Sequence, residues 1–235
     1  MVRSTLTLQQ RKADKDLNII GTVTFLVLVI FIGFQNQFLS FADNQTIPVL
    51  LRTFTLAFMQ FGVAGLGITI VSLLRKERFL KYGLRREGIV KSIVLSIFVF
   101  IPSMVFYLAT GKADSYLPFQ SVSLTKEVLA EVFPVKIIGM GMITAAWGFF
   151  EGFNYVVISE KINIRFPSQR KWLNWGALTC ALMCLLIHGM IGVTAENIIE
   201  DMTTFIIIYG MLLIKEYTGN AWGCIFIFVF LWNAF

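Results

Sequence analysis

Histidine is nearly missing from this chain: there is one, His188, in 235 residues. Catalytic zinc usually takes three protein ligands, so a single histidine makes a metal centre a poor fit. Cysteine is almost as scarce. Cys180, Cys184 and Cys224 all lie in apolar runs and lack the paired spacing of a zinc site. Cys180 and Cys184 stand a turn apart on one helix, a poor geometry for a disulfide, and all three read as small buried packing residues. No metal and no other cofactor is expected. Charge is low as well, at 14% of residues against about 25% in a typical soluble domain. No repeat, linker or low-complexity segment interrupts the chain.

What is present is apolar: 57% of residues are hydrophobic, in long runs separated by short charged clusters. This pattern predicts an all-α, polytopic helical membrane protein with about seven transmembrane helices in one bundle. The apolar segments fall near 18–39, 47–74, 88–110, 134–160, 172–193, 202–214 and 220–235. The sixth is short and calls for tilt, burial or local bilayer thinning. No small-residue cleavage site follows the first run, which therefore reads as a retained span. Residues 121–133, SVSLTKEVLAEVF, read either as an amphipathic helix on the outer interface or as an amphipathic entry into the fourth span.

The net charge of +6 does not argue for nucleic acid, because the bases sit in loops. RKERFLKYGLRRE (75–87) and EKINIRFPSQRK (160–171) are basic, whereas DNQT (43–46) has no base and TAENIIED (194–201) is acidic. The positive-inside rule then places the N-terminus in the cytoplasm of a cell whose plasma membrane holds the protein. Membrane lipid and a membrane-associated peptide or protein are the expected partners.

Few polar groups fall at membrane depth. Glu151, Asn154 and Tyr155 lie in the fourth segment, His188 in the fifth and Asn233 in the seventh. A lone acid within an apolar helix needs a structural partner or a function. Glu151 precedes Arg165 by 14 residues, His188 follows Lys171 by 17, and Asn233 follows Gly219 by 14. In straight helices, at about 1.5 Å per residue, these three reach a similar depth and can converge. Asn154 and Tyr155 share the face of Glu151, with Trp147 one turn earlier; Tyr155 reads mainly as packing. Gly148 and Gly152 form a small-xxx-small pair suited to close helix approach. The bland alternatives are that Glu151 is a protonated structural hydrogen bonder or pairs with Lys136 or Arg52, that His188 is a satisfied buried histidine, and that Asn233 is a commonplace asparagine near a helix end. Arg52 and Lys136, near span ends, read as snorkelling side chains. The chemical alternative is hydrolysis: a carboxylate and an imidazole activate a shared water, and an asparagine amide steadies an oxyanion.

At these residues the C-terminal half resembles the CPBP family of intramembrane proteases, which includes type II CAAX prenyl endopeptidases and bacteriocin-processing or immunity proteins. The family pattern is EExxxR, FxxxH and HxxxN on successive helices. Here the corresponding stretches are EGFNYV (151–156), CLLIH (184–188) and VFLWN (229–233), with 37 residues between Glu151 and His188. Thr218-Gly219-Asn220 and the Trp-led last helix are similar too. The resemblance covers 134–235 and implies a division into N-terminal helices with an amphipathic segment (1–133) and a CPBP-like core (134–235) within one bundle. It implies Glu151 and His188 as the water-activating pair and Asn233 as half of the oxyanion site, all catalytic. Gly152 replaces the second glutamate, Val156 the arginine, Cys184 the phenylalanine and Val229 the last histidine.

Three functions follow as expectations. The first is an intramembrane peptidase. The second is a catalytically inactive relative that serves as a membrane scaffold or immunity-type binding protein. The third, a proton-relay transporter, is disfavoured by the absence of an inverted repeat and of a second intramembrane acid. Nothing in the sequence implies a prenylated substrate.

Overall fold

The computed structural model describes residues 6–113, 115–170, 172–188 and 194–235, with the backbone alone at His188. All regular structure among them is helical. Helix α1 (Leu8–Gly33) starts ten residues before its apolar run because Thr7 and Gln10 form a capping box. Helix α2 (Gln35–Asp43) follows after Phe34. The second apolar stretch is a rod: α3 (Val49–Phe61), a π-helical segment Gly62–Leu66, and α4 (Gly67–Arg75). A 3₁₀ turn (Phe79–Tyr82) leads to α5 (Ile89–Thr110), and a loop leads to the short α6 (Thr125–Ala130). A second rod joins α7 (Val135–Ile143), a π segment Thr144–Phe150, and α8 (Glu151–Arg165). Helices α9 (Trp175–His188), α10 (Ala195–Thr218) and α11 (Trp222–Phe230) complete the order.

Four of these helical stretches are long and apolar enough to cross a membrane: Leu8–Gly33, Val49–Arg75, Ile89–Thr110 and Ala195–Thr218. The last of them corrects the short sixth segment. Glu196, Glu200 and Asp201 break the apolar run but not the helix. Thr194 caps it by accepting the Asn197 N–H at 3.1 Å, and the acidic first turn suits the positive helix end. Lys112 at the end of α5 then pairs with Glu196 and Glu200 at 3.1 and 2.6 Å. The final apolar run is also corrected, since α11 stops at Phe230. Beyond it the carbonyls of Asn233 and Ala234 accept the amides of Ser121 and Leu117.

Helix α8 is the axis of the core. Phe153, Val156 and Val157 are wholly buried in it, and α1, α9 and α11 pack around it. Small residues set the approach. A Cβ at Gly176 of α9 would overlap the Ser159 backbone of α8. One at Gly223 of α11 would meet the carbonyl and hydroxyl oxygens of Ser92 on α5, each at 2.6 Å. Within the 121–133 stretch the helix is confined to Thr125–Ala130. Its helix α6 is short and packs on α7, where Val128 touches the Gly139 position.

Arg52 does not snorkel. It is 2% exposed, held by a forked ion pair to Glu127 and by the carbonyls of Ala42 and Ile47 at 2.7 and 2.9 Å. At the opposite end, Asp16 of α1 accepts from Arg75 at 2.7 Å and from Lys161 of α8 at 2.8 Å. Lys161 also reaches Glu77 at 3.1 Å, and Glu77 accepts from Lys81 and from the Tyr82 hydroxyl. Asp16 and Lys161 are buried, so each depends on the other's charge.

This cluster should respond to mutation and to acid. Asp16→Asn leaves Lys161 with reduced compensation and should destabilise the fold by about 3–5 kcal/mol, read as a lower Tm in detergent. Burial raises the Glu77 pKa, but hydrogen bonds from Lys81, Tyr82 and Lys161 outweigh it and hold the carboxyl at about 2, below the ordinary 4.5. A depressed acid stabilises the fold fully above 4.5 and loses that contribution as pH falls towards 2. Tm measured across that window should therefore fall with acid in the parent and fall less in Glu77→Gln.

Candidate functional site

The two π segments are neighbours, one ending α3 and the other leading into Glu151. A π turn adds a residue to the helix, shifts the faces beyond it, and is frequent at functional sites. Glycine and aromatic packing accommodate both. A Cβ at Gly65 would collide with the Phe61 ring and lie 2.8 Å from Phe150, and those two rings meet edge to face at 4.7 Å between centroids. The Val63 carbonyl, inside the first π segment, accepts the Thr24 hydroxyl of α1 at 2.9 Å. Gln60 is thereby placed opposite Glu151.

Glu151 is 7% exposed, and its Oε2 accepts the Gln60 amide at 2.8 Å. Among the described residues it takes part in no ion pair; Arg52 is committed to Glu127 at the other end of α3. Glu151 borders a cavity of about 770 Å³. Apolar residues of α1, α3, α8 and α9 form most of the wall. The polar positions include Thr24, Gln60, Asn154, Asn233, Ser121 and Ser123 beside Glu151 itself. Trp147 and Tyr155 line it too, so the face read from the spacing on α8 survives the π segment.

Asn233 is brought to the same cavity as Glu151 by the turn after α11. Its Oδ1 accepts the Ser121 hydroxyl at 3.0 Å, while its buried Nδ2 has no hydrogen-bond partner among the described residues. The buried Oδ1 of Asn154 is likewise unpartnered. Buried amide atoms are normally paired, and both residues line the Glu151 cavity. His188 ends α9, whose Met183 and Ile187 line the cavity. Its side chain lies outside the described residues. Tyr155 is buried and stacks on Phe228 at 5.6 Å, in keeping with packing.

Sequence reasoning missed Gln60 and Ser121. Gln60 carried a signal, as the one amide side chain within the apolar stretch 47–74. Ser121 carried none, because its role depends on a loop returning to the end of the chain. Among the described residues no group of three or more His, Cys, Asp or Glu is placed to hold a metal ion. The chain matches no protein-family model, no curated protein and no solved structure.

Gly148 and Gly152 do pack a neighbour closely. A Cβ on Gly148 would come within 2.7 Å of Val229, and one on Gly152 within 3.0 Å of the Phe228 ring and 3.2 Å of the Cys224 carbonyl. Position 152 thus faces α11. Gly152→Ala should destabilise by about 1–3 kcal/mol through overpacking, with Gly152→Glu worse, as read from thermal unfolding in detergent. A neutral Gly152→Glu would contradict this packing.

Proposed function

We propose that this chain is an intramembrane peptidase resembling the CPBP proteases, hydrolysing a peptide bond at or within the membrane. In this reading α1, the two rods, α5 and α9–α11 form one bundle of about seven membrane elements, with the N-terminus at the cytoplasmic face of the cell membrane. The observation that carries the reading is the company Glu151 keeps. Asp16, Arg52 and Lys161 are buried against opposite charge, whereas Glu151 is buried against a neutral amide at the edge of a large cavity. A carboxylate so placed is a general base for water.

In the proposed reaction Glu151, with His188, takes a proton from water. The resulting hydroxide attacks the peptide carbonyl carbon. Asn233 Nδ2 donates to the oxyanion of the tetrahedral intermediate, and the proton passes to the departing amine. The apolar walls suit a membrane-embedded chain. No prenyl group is required.

A second reading, a non-catalytic scaffold or immunity-type binding protein, draws support from positions 152 and 156. Gly152 is closed off by α11 and Val156 is wholly buried, so neither has room for the charged residue of the family pattern.

Cleavage of transmembrane-segment peptides by the purified protein in liposomes, followed by mass spectrometry, separates the two. Glu151→Gln should lose roughly 10²–10⁴-fold in rate while remaining folded, and Asn233→Ala roughly 10²–10³-fold. Full activity in Glu151→Gln would overturn the peptidase. An inactive parent that copurifies with a stable membrane partner would favour the scaffold.

A further inference from the structure

A second pocket, of about 540 Å³, lies on the face formed by the loops near 43–47 and 120–127. Its lining is polar and charged: Asp43, Gln45, Gln120, Lys126, and the Arg52–Glu127 pair. Ala42 and Ser121–Ser123 line this pocket and the Glu151 cavity alike. The two spaces are therefore separated by one thin wall. Buried Ala42 and Val122 give that wall its body. Ser121 ties it to the site by two bonds, from its amide to the Asn233 carbonyl at 3.2 Å and from its hydroxyl to the Asn233 side chain at 3.0 Å.

We propose that the polar pocket is the aqueous entrance to the Glu151 cavity, and that Ser121, latched on Asn233, closes it. The inference rests on the reading of Glu151 as a group that uses water. Hydrolysis consumes one water per bond cut, and the apolar walls facing α1 cannot deliver it. The polar pocket is built to hold water and touches the cavity where its polar side chains gather. Arg52 keeps the entrance in shape, since its buried guanidinium ties α3 to α6 and to the end of α2. The same geometry narrows the substrate class. A membrane-embedded chain whose polar flank leaves through this pocket is cut near the 43–47 face, not near the basic 75–87 loop. Ser121 is a positioning residue in this scheme, because breaking its hydroxyl bond releases the Asn233 side-chain amide and leaves the wall held by the backbone bond alone.

Labelling from one side of the membrane tests the route. The parent chain serves as a blank because Cys180, Cys184 and Cys224 are buried. Asn154→Cys and, independently, Gln60→Cys supply a thiol in the cavity. A charged, membrane-impermeant methanethiosulfonate reagent is added to each face of oriented proteoliposomes. Modification is expected from the 43–47 face alone and should speed up severalfold when Ser121→Ala is added. Modification from the 75–87 face, from neither face, or at a rate that Ser121→Ala does not alter overturns the proposal. The readout is independent of catalysis. An inactive parent that still labels from the 43–47 face would refute the peptidase and leave the entrance standing.

Discussion

Charge buried in a low-dielectric interior must be answered locally, and most of this fold can be read from where that happens. Asp16 and Lys161 bind α1 to α8 at one end, with Arg75 and Glu77 completing the cluster. Arg52 and Glu127 bind α3 to α6 at the other. Between these anchors the helices hold each other through apolar packing and close glycine contacts. Glu151 sits in the middle, where among the described residues the Gln60 amide meets it. The two charge clusters tie α1, α3 and α8, three of the helices that wall the cavity around it, to their neighbours.

Backbone geometry then aims the polar groups. The π segments at Gly62–Leu66 and Thr144–Phe150 each insert a wider turn just where Gln60 and Glu151 must face one another. Gly65 permits the Phe61 and Phe150 rings to meet across that gap. At the end of α11 the helix gives way to a turn, and Asn233 comes to the cavity on that turn rather than on a helix face.

Much of this was legible in the sequence, for stated reasons. Scarcity of charge and long apolar runs announce helices, and the rods 49–75 and 135–165 fall close to the apolar segments. The 3.6-residue spacing placed Trp147, Glu151, Asn154 and Tyr155 on one face, and all four line the cavity. Gly148 and Gly152 announced a close neighbour, which is α11. Other features were hidden because hydropathy averages over them. The start of α1 and the acidic turn of α10 are helical through caps and ion pairs that an apolar count does not register. Arg52 was read as snorkelling because its partner, Glu127, is 75 residues away. Ser121 meets Asn233 across 112 residues, a separation at which no local pattern speaks.

The central claim is that Glu151, unpaired by any cation among the described residues, holds a water for attack on a peptide bond. A high-resolution experimental map of the protein in a lipid environment tests it most directly. The account predicts an ordered water within hydrogen-bond distance of the Glu151 carboxylate and of the Asn233 Nδ2, with the His188 imidazole turned towards the same water. A cavity closed by apolar side chains, or a cation seated directly on Glu151, would contradict it.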